Sequence, residues 1–484
     1  MAAKKDIETG NSNSSEPRNG NGELNAPLID RKNAAAERKC PNKDDGLCVV
    51  LLSTLIAVCG SFEFGSCVGY SSPAQFGMMA DLKESYSEFS IFGSILTIGA
   101  IIGAITSGRI ADWVGRKGAM RIASIICIAG WLAVSLSSAI PLLDFGRFLT
   151  GCGIGVISYV VPVYIAEITP KELRGALATA NQLFIVVGTL VSFVAGALVS
   201  WRTLALIGIA PCLVMLVGLF FIPESPRWLA MVGQNDKFEV ALSQLRGANA
   251  DISQEQIDIL ESLALLNQLP KVGILDLFNK RNIRFVIVGV GLMVFQQAIG
   301  INGYIYYAGQ IFVSAGVSPS LGSILYASLQ VVLTAFGASL MDKAGRRPLL
   351  MISVVGLFLG NLLTGLSFLL KQYHMAPDAV PVLAVTGVLI YIGFFSFGMG
   401  PIPWVIMSEI FPLNIKGTGG SLVTLVNWIG SWVISYSFIF LMNWSSYGVF
   451  FLYGAFCAVS MIFTIKYVPE TKGRTLEEIQ ASMN

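Results

Sequence analysis

Charge is what this chain has least of. Only 13% of its 484 residues are Asp, Glu, Lys or Arg and 54% are hydrophobic, where a water-soluble domain carries about 25% charge. So few charges cannot cover a water-facing surface, which excludes an ordinary soluble globule and leaves the bilayer as main solvent. Histidine is all but missing. His374 stands alone in a loop-like KQYHMAP stretch, which excludes a histidine-centred catalytic site or a multi-His metal centre. The eight cysteines form no CxxC pair: Cys40 and Cys48 precede or open the first apolar run, and Cys59, Cys67, Cys127, Cys152, Cys212 and Cys457 lie inside apolar runs. They read as small buried residues, with no disulfide framework. No cleavable signal peptide is expected, because a polar, charged stretch precedes the first apolar run. No nucleotide-binding loop is visible, no nucleic-acid partner is expected, and the net charge of +2 is uninformative by itself.

What is present is a series of apolar runs. Residues 1–46 are polar, rich in Asn, Ser, Lys and Glu, and too poor in apolar surface to fold alone. Beyond them, runs of about 20 residues recur, the length a helix needs to cross roughly 30 Å of hydrocarbon. They fall near 48–72, 90–111, 119–138, 145–166, 177–199, 203–222, 284–312, 321–341, 349–370, 380–407, 417–441 and 447–468. Six precede and six follow a polar stretch at 223–283. The expectation is an all-α membrane protein with a tail at 1–46, a half at 47–222, a central loop with short helices at 223–283, a half at 284–468 and a tail at 469–484. With both termini cytoplasmic, outer segments hold only Lys83, Arg202, Lys371 and, at a span's outer start, Arg147. The other 28 of 32 basic residues (32 − 4) then face the cytoplasm, as the positive-inside rule requires.

The two halves repeat. Asp112–Trp113–Val114–Gly115–Arg116–Lys117 returns as Asp342–Lys343–Ala344–Gly345–Arg346–Arg347, an offset of 342 − 112 = 230. Glu167 with Arg174 returns as Glu409 with Lys416, and the Pro223–Glu224–Ser225–Pro226–Arg227 stretch more loosely as Pro469–Glu470–Thr471. Ordered matches of this kind indicate a duplicated six-helix unit, an arrangement with substrate near the midplane between halves. Glycines 115 and 345 permit tight turns. The charged residues around them are expected to form a cytoplasmic gate that pairs across helix ends when that side is closed and separates when it opens: Asp112, Arg116, Lys117, Glu167, Arg174, Glu224, Arg227, Asp342, Arg346, Arg347, Glu409, Lys416 and Glu470.

These motifs, with Gly146–Arg147, PESPRWL (223–229), QQAIGINGYIYY (296–307), GPIPW (400–404) and PETKGRTLEEI (469–479), resemble the sugar-porter family of the major facilitator superfamily over essentially the whole chain beyond the tail. FEFGSCVGYSSP (62–73) and NQL (181–183) are most similar to the plant early-response-to-dehydration type of monosaccharide transporter. The resemblance implies twelve helices in two pseudo-symmetric halves, no cofactor, and a hexose ringed by Gln182, Gln296, Gln297, Asn302, Gln330, Trp404 and Asn427. Amides that both donate and accept suit vicinal hydroxyls, and an indole suits the C–H face of a sugar ring.

Two departures stand out. Many proton-coupled members carry Asp after an FGY triplet, where this chain has Cys67 after Phe64–Gly65–Ser66; the acidic residue usual eight positions before the GPIPW tryptophan is Ser396. Glu63 lies one helical turn before Cys67 on the same face. Arg147 occupies the position of the missing acid's partner, so Glu63 and Arg147 are the coupling candidates. A pair between them that keeps Glu63 ionised implies facilitated diffusion; a titrating pair implies a proton-coupled symporter or exporter. Facilitated diffusion is the expectation. A non-transporting sugar sensor is the reading from another class, against which stand only 16 residues after the last span (484 − 468). Leu24–Asn25–Ala26–Pro27–Leu28–Ile29 after Glu23 is similar to dileucine-type signals, implying a sorting adaptor and a vacuolar membrane, with the plasma membrane as alternative.

Overall fold

The computed structural model describes residues 43–170, 173–247, 250–268, 275–279, 282–412 and 415–472. The tail with Cys40 and the sorting motif lies outside the described residues, as do the side chains of Arg174 and Asp342. The elements, in order, are α1 (Lys43–Gly69), α2 (Ser71–Leu82), α3 (Tyr86–Ser135), α4 (Ile140–Ile168), α5 (Arg174–Gly196) and α6 (Trp201–Gly218). Three short helices follow: α7 (Pro226–Met231), α8 (Asn235–Arg246) and α9 (Ser253–Gln268). The second half holds α10 (Ile283–Ala298), α11 (Ile301–Tyr306), α12 (Ala308–Ser314), α13 (Pro319–Ala344), α14 (Arg346–Gln372), α15 (Ala379–Phe394), α16 (Ile402–Ile410), α17 (Lys416–Trp444) and α18 (Ser446–Tyr467).

Among the described residues, eleven helical stretches are long and apolar enough to cross a membrane. The 50-residue α3 would measure about 75 Å at 1.5 Å per residue, far more than one crossing needs. Gly115, at φ 83° and ψ 171°, interrupts it. Division there gives the twelve spans read from the sequence. Gly345 makes the same turn in the second half, at φ 89° and ψ 159°. A side chain at either position would need a left-handed backbone that costs an L-residue strain.

Three boundaries differ from expectation. The first apolar run ends at Gly69 and continues as α2 to Leu82; the run 284–312 is cut into α10, α11 and α12; and 380–407 is cut by a π-helical turn at Phe395–Met399. In the first half, α3 and α4 cross where Gly151 and Gly155 leave no room for a methyl group: a Cβ there would sit 2.2 Å from the Leu96 carbonyl and 2.4 Å from that of Ala100. The GCGIG run is thus a packing seam. Behind it, Arg246 binds both oxygens of Glu255 at 2.8 and 2.7 Å and donates to the Ile168 carbonyl at 2.9 Å, which docks the central helices on the end of α4.

The charged motifs gather at one end of the bundle. At the opposite, far end the halves are closed upon each other. Gly309 N–H donates to Ser72 Oγ at 2.9 Å, Gln75 Nε2 to Gln310 Oε1 at 3.0 Å and Ser90 Oγ to the Tyr436 carbonyl at 3.0 Å. Tyr307 fills the seam, stacked on Phe438 at 5.0 Å and edge-on to Phe89 at 6.1 Å. At the motif end, Arg116 with Glu167 and Arg346 with Glu409 pair within one half, and Trp228 and Arg246 join the first half to the central helices.

Candidate functional site: an amide cluster at two broken helices

The site is built where two spans fail to stay helical. GPIPW places proline at 401 and 403, so the Met399 carbonyl has no N–H at position 403 to accept. The π turn closes instead through Gly400 N–H to the Phe395 carbonyl at 2.8 Å. Ser353 of α14 is inserted alongside, accepting from Met399 N–H at 2.9 Å and donating to the Phe394 carbonyl at 2.7 Å. The freed carbonyls of Met399 and Gly400 both accept from Gln296 Nε2 at 2.8 Å. Gly300 then breaks the facing span, at φ 98°. This break turns Asn302 back toward Gln297, so that Asn302 Nδ2 donates to Gln297 Oε1 while Gln297 Nε2 donates to Asn427 Oδ1 at 2.6 Å. Gly430, one turn on from Asn427, lets α17 approach: a Cβ there would lie 2.9 Å from that of Gln297.

Three of the seven expected sugar ligands, Gln297, Asn302 and Asn427, are therefore tied into one hydrogen-bonded chain, and Gln296 stands beside Gln297 on the π-turn carbonyls. Gln182 is exposed, Trp404 half-buried and Gln330 buried, and these three stand outside the chain of hydrogen bonds. Ser396, in the family's acidic position, returns its hydroxyl to the Ile392 carbonyl at 2.7 Å. Serines commonly satisfy themselves this way in helices.

The expected Glu63–Arg147 pair does not form. Trp131 donates its indole N–H to Glu63 Oε1 at 2.6 Å and Cys67 Sγ donates to the same oxygen at 3.1 Å; Oε2 has no partner. Arg147 donates to Ser71 Oγ at 2.6 Å, its guanidinium 5.6 Å from the Tyr70 ring centre and 5.1 Å from that of Phe92. Ser71 follows the break after α1, which presents its hydroxyl to Arg147, and Trp131 reaches the carboxyl from the second part of α3. Helical spacing put Glu63 and Cys67 on one face correctly, but it carries no information about which neighbouring helix meets that face. The one signal for Trp131 was a membrane indole needing an acceptor. Glu63, Cys127 and Cys212 also bring one donor atom each within 4.8 Å of one another, from three separate spans, so no Cys spacing could have shown them.

The motif-end charges repeat in both halves. Arg116 grips Glu167 with Nε and Nη2 at 2.8 and 3.0 Å and reaches Asp112 at 3.2 Å; Arg346 bonds Glu409 at 3.1 Å. Glu224 accepts from Lys117 N–H at 3.1 Å, and Glu470 from the N–H groups of Arg346 and Arg347 at 3.1 and 3.0 Å. Burial pushes the Glu224 carboxyl up, against the N–H groups of Ser225 and Lys117. Burial also opposes ionisation of Glu470, but four backbone N–H groups, from Lys472, Arg346, Arg347 and Thr471, hold it below its ordinary value. Arg227 is half-buried and Lys416 exposed. Each of these pairs joins residues of one half.

The model of the family described as "Sugar (and other) transporter" matches residues 51–483. The chain belongs to that family. This sugar transporter is 64% identical to Arabidopsis thaliana "Sugar transporter ERD6-like 8" over 436 residues, 90% of this chain and 93% of the relative. It is 60% identical to "Sugar transporter ERD6-like 16" of the same plant, over 92% of each. In shape it is similar to the inward-open xylose transporter XylE of E. coli, with TM-score 0.76 and 26% identity over 90% of this chain and 99% of that one. The proton:xylose symporter XylE bound to 6-bromo-6-deoxy-D-glucose gives TM-score 0.74 and 26% identity over 91% and 100%. The fold is that of the major facilitator superfamily, and this transporter is a multi-pass membrane protein of a family that is not enzymatic.

Proposed function

We propose that this transporter carries a monosaccharide such as glucose or fructose by facilitated diffusion, its two halves rocking about the amide cluster. The observation that carries this is the hydrogen-bonded set of Asn302, Gln297 and Asn427, in which Gln297 both takes and gives a hydrogen bond, with Gln296 beside it on the π-turn carbonyls. Amides carry both donors and acceptors and so can exchange these bonds for sugar hydroxyls. Gln182, Gln330 and Trp404 would complete the ring when the halves close on sugar. The similar XylE, solved with a glucose derivative, supports a monosaccharide of that size. The motif end would face the cytoplasm, with both termini, and a sorting adaptor reading the tail would direct the protein to the vacuolar membrane.

Uniport rests on how Glu63 is enclosed. Its hydrogen-bond partners Trp131 and Cys67 belong to the same half, so rocking of one half against the other need not disturb them, whereas a proton carrier must meet both sides of the membrane in turn. The test is uptake of labelled glucose into proteoliposomes with and without an imposed pH gradient. Equilibration without accumulation, and a several-fold rise in KM for Gln297→Ala at normal protein abundance, is the expected result. Wild-type KM in Gln297→Ala overturns the amide site. Accumulation that Glu63→Gln abolishes overturns uniport and makes Glu63 the proton carrier, as in the second reading that similarity to a proton:xylose symporter favours.

A further inference from the structure

The cluster's amides straddle a discontinuity. Gln296 and Gln297 precede Gly300 and Asn302 follows it, so their mutual placement depends on what fixes the two sides of that break. Tyr304 N–H bonds to the Gly300 carbonyl, which starts the α11 ladder there and leaves the Ile299 carbonyl to a side chain. That side chain is Tyr391, whose hydroxyl donates to it at 3.2 Å. The same Tyr391 ring lies flat on Tyr304, centroids 4.0 Å apart and planes 17° apart, so one residue holds the chain both before and after the break. Tyr304 is anchored in turn by its hydroxyl to Asn361 Oδ1 at 3.0 Å, and Asn361 is tied to the Leu357 carbonyl at 3.1 Å. Tyr453 closes the remaining side: a Cβ on Gly300 would fall 2.3 Å from its ring. Tyr304, Tyr391 and Asn361 are completely buried.

Tyr391 also stands near the end of α15, which leads into the π turn whose Met399 and Gly400 carbonyls hold Gln296. The two broken spans are thus pinned at two points, one by Gln296 and one by Tyr391. We infer that Tyr391 is a positioning residue for sugar binding: it touches no sugar but sets Gln297 against Asn302, with Asn361 as its brace. This rests on the amide site proposed above. Phenylalanine at position 391 keeps the ring and its stacking and removes only the donor, so the break loses its pin while the fold keeps its packing.

Tyr391→Phe should raise KM for glucose about two- to tenfold, the range that one net hydrogen bond supplies, with kcat and thermal stability near wild type. Its decisive readout is a cycle with Gln297→Ala in proteoliposomes. If Tyr391 acts by placing Gln297, its effect on KM disappears in the double variant; independent structural effects multiply. Wild-type KM in Tyr391→Phe, or a fully multiplicative double variant, overturns the inference. Should Tyr391→Phe fail to fold, Asn361→Ser is assayed in the same cycle and judged by the same two outcomes. Silence of Gln297→Ala alone removes the amide site first and this inference with it, whereas silence of Tyr391→Phe beside an impaired Gln297→Ala removes only the inference.

Discussion

At the scale of single residues, the buried carboxyls show how far a neighbour outweighs a position. Glu63 was placed by sequence on the same face as Cys67, yet an indole and a thiol took the oxygen that an arginine was expected to hold. Glu84 had no sequence signal at all. It sits at the far end, just before the cap of α3, almost fully buried with neither oxygen partnered. Burial, reinforced by the carboxylates of Asp144 and Glu88, pushes its carboxyl up to about 7. A folded value above the unfolded one means that the native state binds this proton more tightly. The contribution is therefore full below the ordinary carboxyl range and is lost as pH rises toward 7. Thermal unfolding in detergent should show wild type losing stability from pH 5 to 7.5 and Glu84→Gln losing less, so that the variant melts higher at pH 7.5. Parallel pH profiles for the two proteins would mean that Glu84 is solvated.

The elements were legible where apolar length defines them and illegible where it does not. Twelve runs and the repeat offsets came straight from hydropathy and motif spacing. The breaks at Gly300 and at Phe395–Met399 did not, because each falls within a run that reads as one span on average hydropathy. The prolines of GPIPW did announce a missing N–H; which carbonyl would be served by Gln296 depended on the facing helix. Gly115 offers a direct comparison within one element. A Cβ there would strike Glu224 Oε2 at 2.5 Å in a left-handed backbone, whereas at Gly108 it would meet nothing within 4 Å. Gly115→Ala should cost about 1–3 kcal/mol and lower the melting temperature by several degrees, while Gly108→Ala leaves it level or slightly raised by better helix propensity. Equal melting temperatures would show that the turn carries no strain.

For the whole molecule, the far end is shut by contacts between halves and the motif end is organised within each half. Arg116 and Glu167 are both nearly buried and bidentate, and removal of one partner strands the other's charge. Such losses cost about 3–5 kcal/mol for fully buried pairs, and less at this partly wet helix end. Arg116→Ala is therefore expected to lower thermal stability markedly without changing how readily a cysteine placed in the central cavity reacts with a motif-side thiol reagent. An unchanged melting temperature with altered reactivity would support the gate reading instead.

By itself the sequence determined the solvent, the number of spans, the duplication and the family, because each follows from composition, run length or motif spacing along one chain. It also named the amides, since their residue types and motif context are local properties. Tertiary structure alone decided which of those amides meet, that Glu63 binds Trp131 while Arg147 turns to Ser71, and that Tyr391 pins the break beside the cluster. Those outcomes depend on which helix faces which, and a 3.6-residue period fixes a side chain's direction around its own axis without fixing the neighbour it finds there.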